Sequence, residues 1–86
     1  VYGNSAYNGG GVCLANSASN TISGSVYSNS ATNGGGVYLA NSDYFTNTGW
    51  ITNNTAGSTG GGVYTNNPHP NSYFGHVTNN TPNNFN

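Results

Sequence analysis

The tightest constraint on this chain is a repeat carried by two unrelated phrases. The first runs Gly9-Gly10-Gly11-Val12, Gly34-Gly35-Gly36-Val37 and Gly60-Gly61-Gly62-Val63, offset by 25 and then 26 residues. The second is VYGNSA from Val1, VYSNSA from Val26, ITNNTA from Ile51 and VTNNTP from Val77. Its fourth residues, Asn4, Asn29, Asn54 and Asn80, step by 25, 25 and 26. Two phrases that hold one beat make each period a structural unit, which buries its apolar residues against neighbouring periods rather than alone.

The local pattern names the unit. No segment places apolar residues at i, i+3 and i+4, whereas Val37-Tyr38-Leu39 alternates in the manner of a strand. A looser third phrase, Thr21-Ile22-Ser23, Tyr44-Phe45-Thr46 and Tyr73-Phe74, falls between the other two. Gly, Asn, Ser and Thr fill the gaps as turn formers. The expected fold is all-β: a parallel β-helix, or β-solenoid, of about three and a half coils, with three short strands per coil of 25–26 residues. The single domain covers 1–86, with phases near 1–25, 26–50 and 51–76 and a partial coil at 77–86.

Alternation then assigns the faces. Val12, Val37 and Val63 with Leu14 and Leu39 point inward, as do Val1, Val26, Ile51 and Val77 and, in the middle strand, Ile22, Phe45 and Phe74. Cys13, Tyr38 and Tyr64 point outward, with Tyr2, Tyr27, Thr52 and Thr78. Equivalent side chains of adjacent coils stack at about 4.8 Å, a spacing at which like charges repel and asparagine amides bond to one another. Asn4, Asn29, Asn54 and Asn80 are the expected structural ladder. Gly9, Gly10, Gly11, Gly34, Gly35, Gly36, Gly60, Gly61 and Gly62 are the expected turn glycines.

The paired phrases VYSNSATNGGGVYLANS and WITNNTAGSTGGGVYTNN resemble the right-handed parallel β-helix repeats of bacterial surface proteins. Members include the pectate-lyase-like superfamily and the polymorphic outer-membrane protein repeats. The resemblance covers essentially the whole chain and speaks for fold rather than activity, because that fold carries lyases, adhesins, passenger domains and fibres alike. It also implies acidic residues, basic residues or calcium wherever such a protein cleaves polysaccharide.

Composition answers that implication. Lys plus Arg is 0 and Asp43 is the single acid, so neither a carboxylate pair nor a calcium cage can be built, and Asp43 reads as a turn residue. His69 and His76 lack a third ligand partner, His76 standing at an outward strand position and Pro68 and Pro70 stiffening the loop around His69. Cys13, the only cysteine, forms no intrachain disulfide and has no acid–base partners for nucleophilic chemistry. The expectation is no enzyme and no cofactor. Without cations there is no electrostatic source of nucleic-acid affinity, and no apolar run approaches the ~20 residues of a membrane span, so neither nucleic acid nor membrane insertion is expected. The glycine phrase is no phosphate cradle, since neither a following helix nor a lysine accompanies it.

What is left is assembly and surface recognition. Leu, Ile, Val and Phe make 13 of 86 residues, and a formal net charge of −1 removes the repulsion that keeps small domains apart. The chain opens on Val1 with no signal-peptide pattern, which suits a processed segment, and the near-absence of charge suits an extracellular or cell-surface location. Val1 and Val77 open the same phrase, so the last coil of one molecule is in phase with the first of the next. The TPNNFN tail departs from the glycine pattern and reads otherwise as a modest cap. The leading expectation is a structural protein that partners itself, stacking end to end into a filament. Its rival is a piece of a longer adhesin or carbohydrate-binding passenger domain, with Tyr38, Tyr64 and Trp50 as an aromatic surface for glycans. Ice binding is a third class, weakened because the Thr52–Thr78 rank is broken by Tyr2 and Tyr27. Asn53 and Asn79 head sequons and are weak glycosylation candidates at a crowded position.

Overall fold

A computed structural model describes residues 1–16, 19–41, 44–66 and 74–85. Asp43, Pro68, His69 and Pro70 lie outside the described residues. Eleven strands carry the described structure: β1 Ser5–Asn8, β2 Val12–Ala15, β3 Thr21–Ile22, β4 Ser25–Tyr27, β5 Ser30–Asn33, β6 Val37–Ala40, β7 Thr46–Asn47, β8 Trp50–Thr52, β9 Thr55–Thr59, β10 Val63–Thr65 and β11 His76–Thr78. No helix occurs among the described residues.

The strands form four sheets, ordered β1-β5-β9, β2-β6-β10, β4-β8-β11 and β3-β7, and every pairing is parallel. From β4 the chain visits each of the other three sheets through β5, β6 and β7, then returns as β8 beside β4. Like therefore pairs with like: Val12 with Val37, Val37 with Val63, Val26 with Ile51 and Ile51 with Val77. Valine and isoleucine, stiff at χ1 and bulky at Cβ, fit such a pleated and half-buried surface.

The core is Val26, Val37, Leu39, Phe45, Ile51, Val63 and Val77, with Val12, Leu14, Ile22 and Phe74 packed partly buried against it. The alternation expected from the sequence holds through the middle of the molecule, where Val37 and Leu39 are buried around a half-buried Tyr38. In the first period it persists in β2, where Val12 and Leu14 are half-buried around an exposed Cys13, and it fails at Val1, which is 55% exposed although Val26 in the same column is 1% exposed. No described strand lies beyond Val1 to cover it.

Two expectations are corrected. The second period, β4 to β7, holds four strands rather than three, because the stretch that follows the ladder asparagine is itself extended, as β5 there and as β1 and β9 in the periods on either side. Its inward position is only an alanine, Ala31 or Ala56, so it shows no apolar alternation. The middle strand also pairs differently: Thr21 lies opposite Thr46 and Ile22 opposite Asn47, not Phe45. Backbone bonds from Thr46 N to Asn20 O and from Thr48 N to Ile22 O keep the common beat there. Phe45 instead packs against Phe74 with ring centroids 5.7 Å apart.

The single change of beat has a local cause. Ala31 pairs with Ala56, but Asn33 pairs with Thr59, so β9 carries one residue more than β5 across the same span. This bulge moves the third glycine turn and the fourth asparagine together.

Candidate functional site

The four repeated asparagines stand at the corner where sheet β4-β8-β11 gives way to sheet β1-β5-β9. The residue before each, Gly3, Ser28, Asn53 and Asn79, has φ of 70°, 55°, 54° and 56°, the left-handed conformation that turns the chain sharply. That turn aims the asparagine inward, and Asn29 and Asn54 are each 1% exposed. Asn29 Nδ2 donates to Asn54 Oδ1 at 3.0 Å, and the Asn29 backbone N–H donates to the same oxygen at 3.0 Å. Asn4 makes the same pair to Asn29 Oδ1 at 3.0 and 3.1 Å, and Asn54 to Asn80 Oδ1 at 2.9 and 3.0 Å.

The second amide hydrogen also has a partner: Asn29 Nδ2 donates to Val1 O at 3.2 Å, Asn54 Nδ2 to Val26 O at 3.0 Å and Asn80 Nδ2 to Ile51 O at 3.0 Å. At the corner the asparagine N–H turns to the side-chain oxygen of the next period, while backbone bonds such as Ser28 N to Asn53 O and Thr55 N to Asn29 O continue the ladder on either side. A buried amide so satisfied escapes the penalty of an unpaired polar group.

The glycine turn packs against this column. Gly9, Gly34 and Gly60 have φ of 64°, 62° and 67°, which supplies the bend. The third glycine is required for space. A Cβ on Gly11 would come within 3.0 Å of Asn29 Nδ2, one on Gly36 within 2.8 Å of Asn54 Nδ2, and one on Gly62 within 2.7 Å of Asn80 Nδ2. The asparagine of each following period, together with the side chain of Val26, Ile51 or Val77 and a backbone carbonyl, fills the volume that a side chain there would need.

Further asparagine columns went unread in the sequence. Asn33 Nδ2 donates to Asn8 Oδ1 at 3.2 Å just before the glycines. Asn41 Nδ2 donates to Asn16 Oδ1 at 3.3 Å and Asn41 N to Asn66 Oδ1 at 3.0 Å just after β2, β6 and β10. Their signal was present in the phrases NGGG and LANS. Asn47 had none: wholly buried opposite Ile22, it donates to Phe74 O at 2.7 Å and accepts from Gly49 N at 3.1 Å.

The aromatic candidates fall in separate outward columns. Tyr38 stacks on Tyr64 with centroids 4.9 Å apart and planes 2° from parallel, both rings half-buried. Trp50, 48% exposed, stacks on His76 at 4.1 Å and 11°. Tyr2 stacks on Tyr27 at 5.1 Å and 13°, a pair implied by the register but not singled out in the sequence. In each column the stacked pair spends one face of each ring on its partner. Cys13 heads the Tyr38 column and is exposed, and Asn53 and Asn79 are exposed at their corners. No group of three His, Cys, Asp or Glu residues gathers to hold a metal ion among the described residues.

Comparison with protein-family models, with curated proteins and with solved structures finds no match to this chain.

Proposed function

We propose that the four parallel sheets are the sides of a β-solenoid, built in the manner of the right-handed parallel β-helix proteins that the sequence resembles. Its function is structural rather than enzymatic: at an extracellular or cell-surface site, the molecule stacks end to end on copies of itself to build a filament. The observation that carries this reading is the in-register asparagine ladder, in which each Oδ1 accepts both bonds of the rung before it. Among the described strands β1, β2 and β3 lie at sheet edges, and no described residue donates to Asn4 Oδ1. Asn4 already holds its own successor in full ladder geometry, so its oxygen presents to a second copy what Asn29 presents to Asn4. Parallel sheet edges of this kind are templates for further pairing.

The stacked aromatic columns weigh against the rival reading as a carbohydrate-binding segment of a longer adhesin, since sugars pack on ring faces and one face of each stacked ring is taken by its partner. Ice binding is weaker still, because the threonine rank in the Tyr2 column stops at Thr52 and Thr78.

The test is electron microscopy and light scattering of the purified chain over a rising concentration series at neutral pH. Fibres whose mass grows with concentration are expected. A protein that stays monomeric throughout the series would sink the filament reading.

A further inference from the structure

The far end of the molecule is built differently from the first. After Asn80 the chain continues through Thr81, which bridges to Thr55, and returns to lay Phe85 opposite Val63. Along this path Gly62 N donates to Asn83 O at 3.2 Å and Val63 N donates to Asn84 O at 2.8 Å. One period earlier, Gly36 N donates to Gly61 O and Val37 N donates to Gly62 O. Asn83 and Asn84 therefore stand where the repeat would place its second and third turn glycines. A Cβ at Gly36 would lie 2.7 Å from Gly62 O, and one at Gly62 lies 2.7 Å from Asn84 O, the same step continued.

At this fourth level the third-glycine position carries a side chain, and its oxygen does the work of the missing fifth asparagine. Asn84 Oδ1 accepts from Asn80 N at 3.1 Å and from Asn80 Nδ2 at 3.0 Å, the pair of bonds that every earlier rung receives from the next period. Asn83 Oδ1 also accepts from Gly60 N at 2.9 Å, and Phe85 meets Phe74 edge-on at 5.2 Å.

We infer that residues 81–85 are an end cap, and that Asn84 is a stop against end-to-end stacking. It occupies the place that Asn4 of a second copy would take, by hydrogen bond and by volume alike. The inference rests on the filament reading above for its occupant, but not for the cap itself. Stacking at this end requires Asn84 to swing out, so growth is slow in the parent protein and limited by tail release.

The test compares the full chain with Asn84→Gly and Asn84→Ala, each checked for parent-like far-UV circular dichroism. Hydrogen exchange at the Asn80 amide reads the cap in the monomer, and light scattering with electron microscopy reads assembly. Both variants lose the Oδ1 acceptor, so Asn80 should exchange about tenfold faster or more in each. Only Asn84→Gly also clears the volume, so it alone should form fibres at least about tenfold faster than the parent, while Asn84→Ala stays blocked by its Cβ. Unchanged Asn80 exchange overturns the cap, and fibres that form equally fast in parent and Asn84→Gly overturn the stop. Faster exchange with no assembly by any of the three keeps the cap and overturns the end-to-end reading. Should Asn84→Gly fail to fold, Asn80 exchange in Asn84→Ala still decides the cap.

Discussion

At the scale of single residues, this molecule spends asparagine and glycine where others spend leucine. Asn54 receives two hydrogen bonds from Asn29 and gives two to Asn80 while wholly buried. Asn54→Ala leaves the Asn29 N–H and one of its two amide hydrogens unsatisfied, and should cost about 2–3 kcal/mol, or about 10–20 °C in Tm by circular dichroism. Asn4→Ala, at the exposed end of the same column, should cost less than about 1 kcal/mol in the same assay. A second contrast isolates the glycine. Gly36→Ala drives a Cβ to within 2.8 Å of Asn54 Nδ2 and should lower the urea midpoint sharply, by the equivalent of about 3 kcal/mol. Gly24→Ala, whose Cβ would meet nothing within 4 Å, should stay within about 0.5 kcal/mol of the parent. A neutral Gly36→Ala would remove the steric account of the glycine turn and, with it, the volume argument for Asn84.

At the scale of elements, what was legible in the sequence followed bulky side chains. The strands around Val37 and Ile51 alternate visibly, and the conserved spacing of the two phrases fixes their parallel, in-register pairing. The strands β1, β5 and β9 were not legible, because one inward alanine flanked by Ser, Thr and Asn looks like a turn. The pairing of Ile22 with Asn47 was hidden for a similar reason: a buried asparagine reads as a surface residue unless its three partners are seen. The tail was visible only as a break in the glycine pattern; that Asn83 and Asn84 replace two glycines depends on a return path shorter than a period. Phe45 tests the core at this scale. It is wholly buried, and Phe45→Ala should cost about 3–5 kcal/mol in chemical denaturation, since it removes a whole ring from the buried cluster.

At the scale of the whole molecule, stability has almost no electrostatic component to screen. With no Lys or Arg and one Asp, raising salt from about 0.05 to 0.5 M should shift Tm by less than about 2 °C, whereas a chain held by ion pairs would move further. Cohesion comes from pairings between residues about a period apart, which makes folding a sequence of long loop closures. Self-similarity makes those closures ambiguous, since any period can find an acceptable surface on any other. The outward columns lift that ambiguity. A chain that skipped a period would lay Tyr2 on Thr52 and Cys13 on Tyr64, and would lose the ring stacks of Tyr2 on Tyr27 and of Tyr38 on Tyr64. The aromatic pairs thus act as frame marks, differences that tell one otherwise interchangeable layer from the next and penalise pairing out of phase.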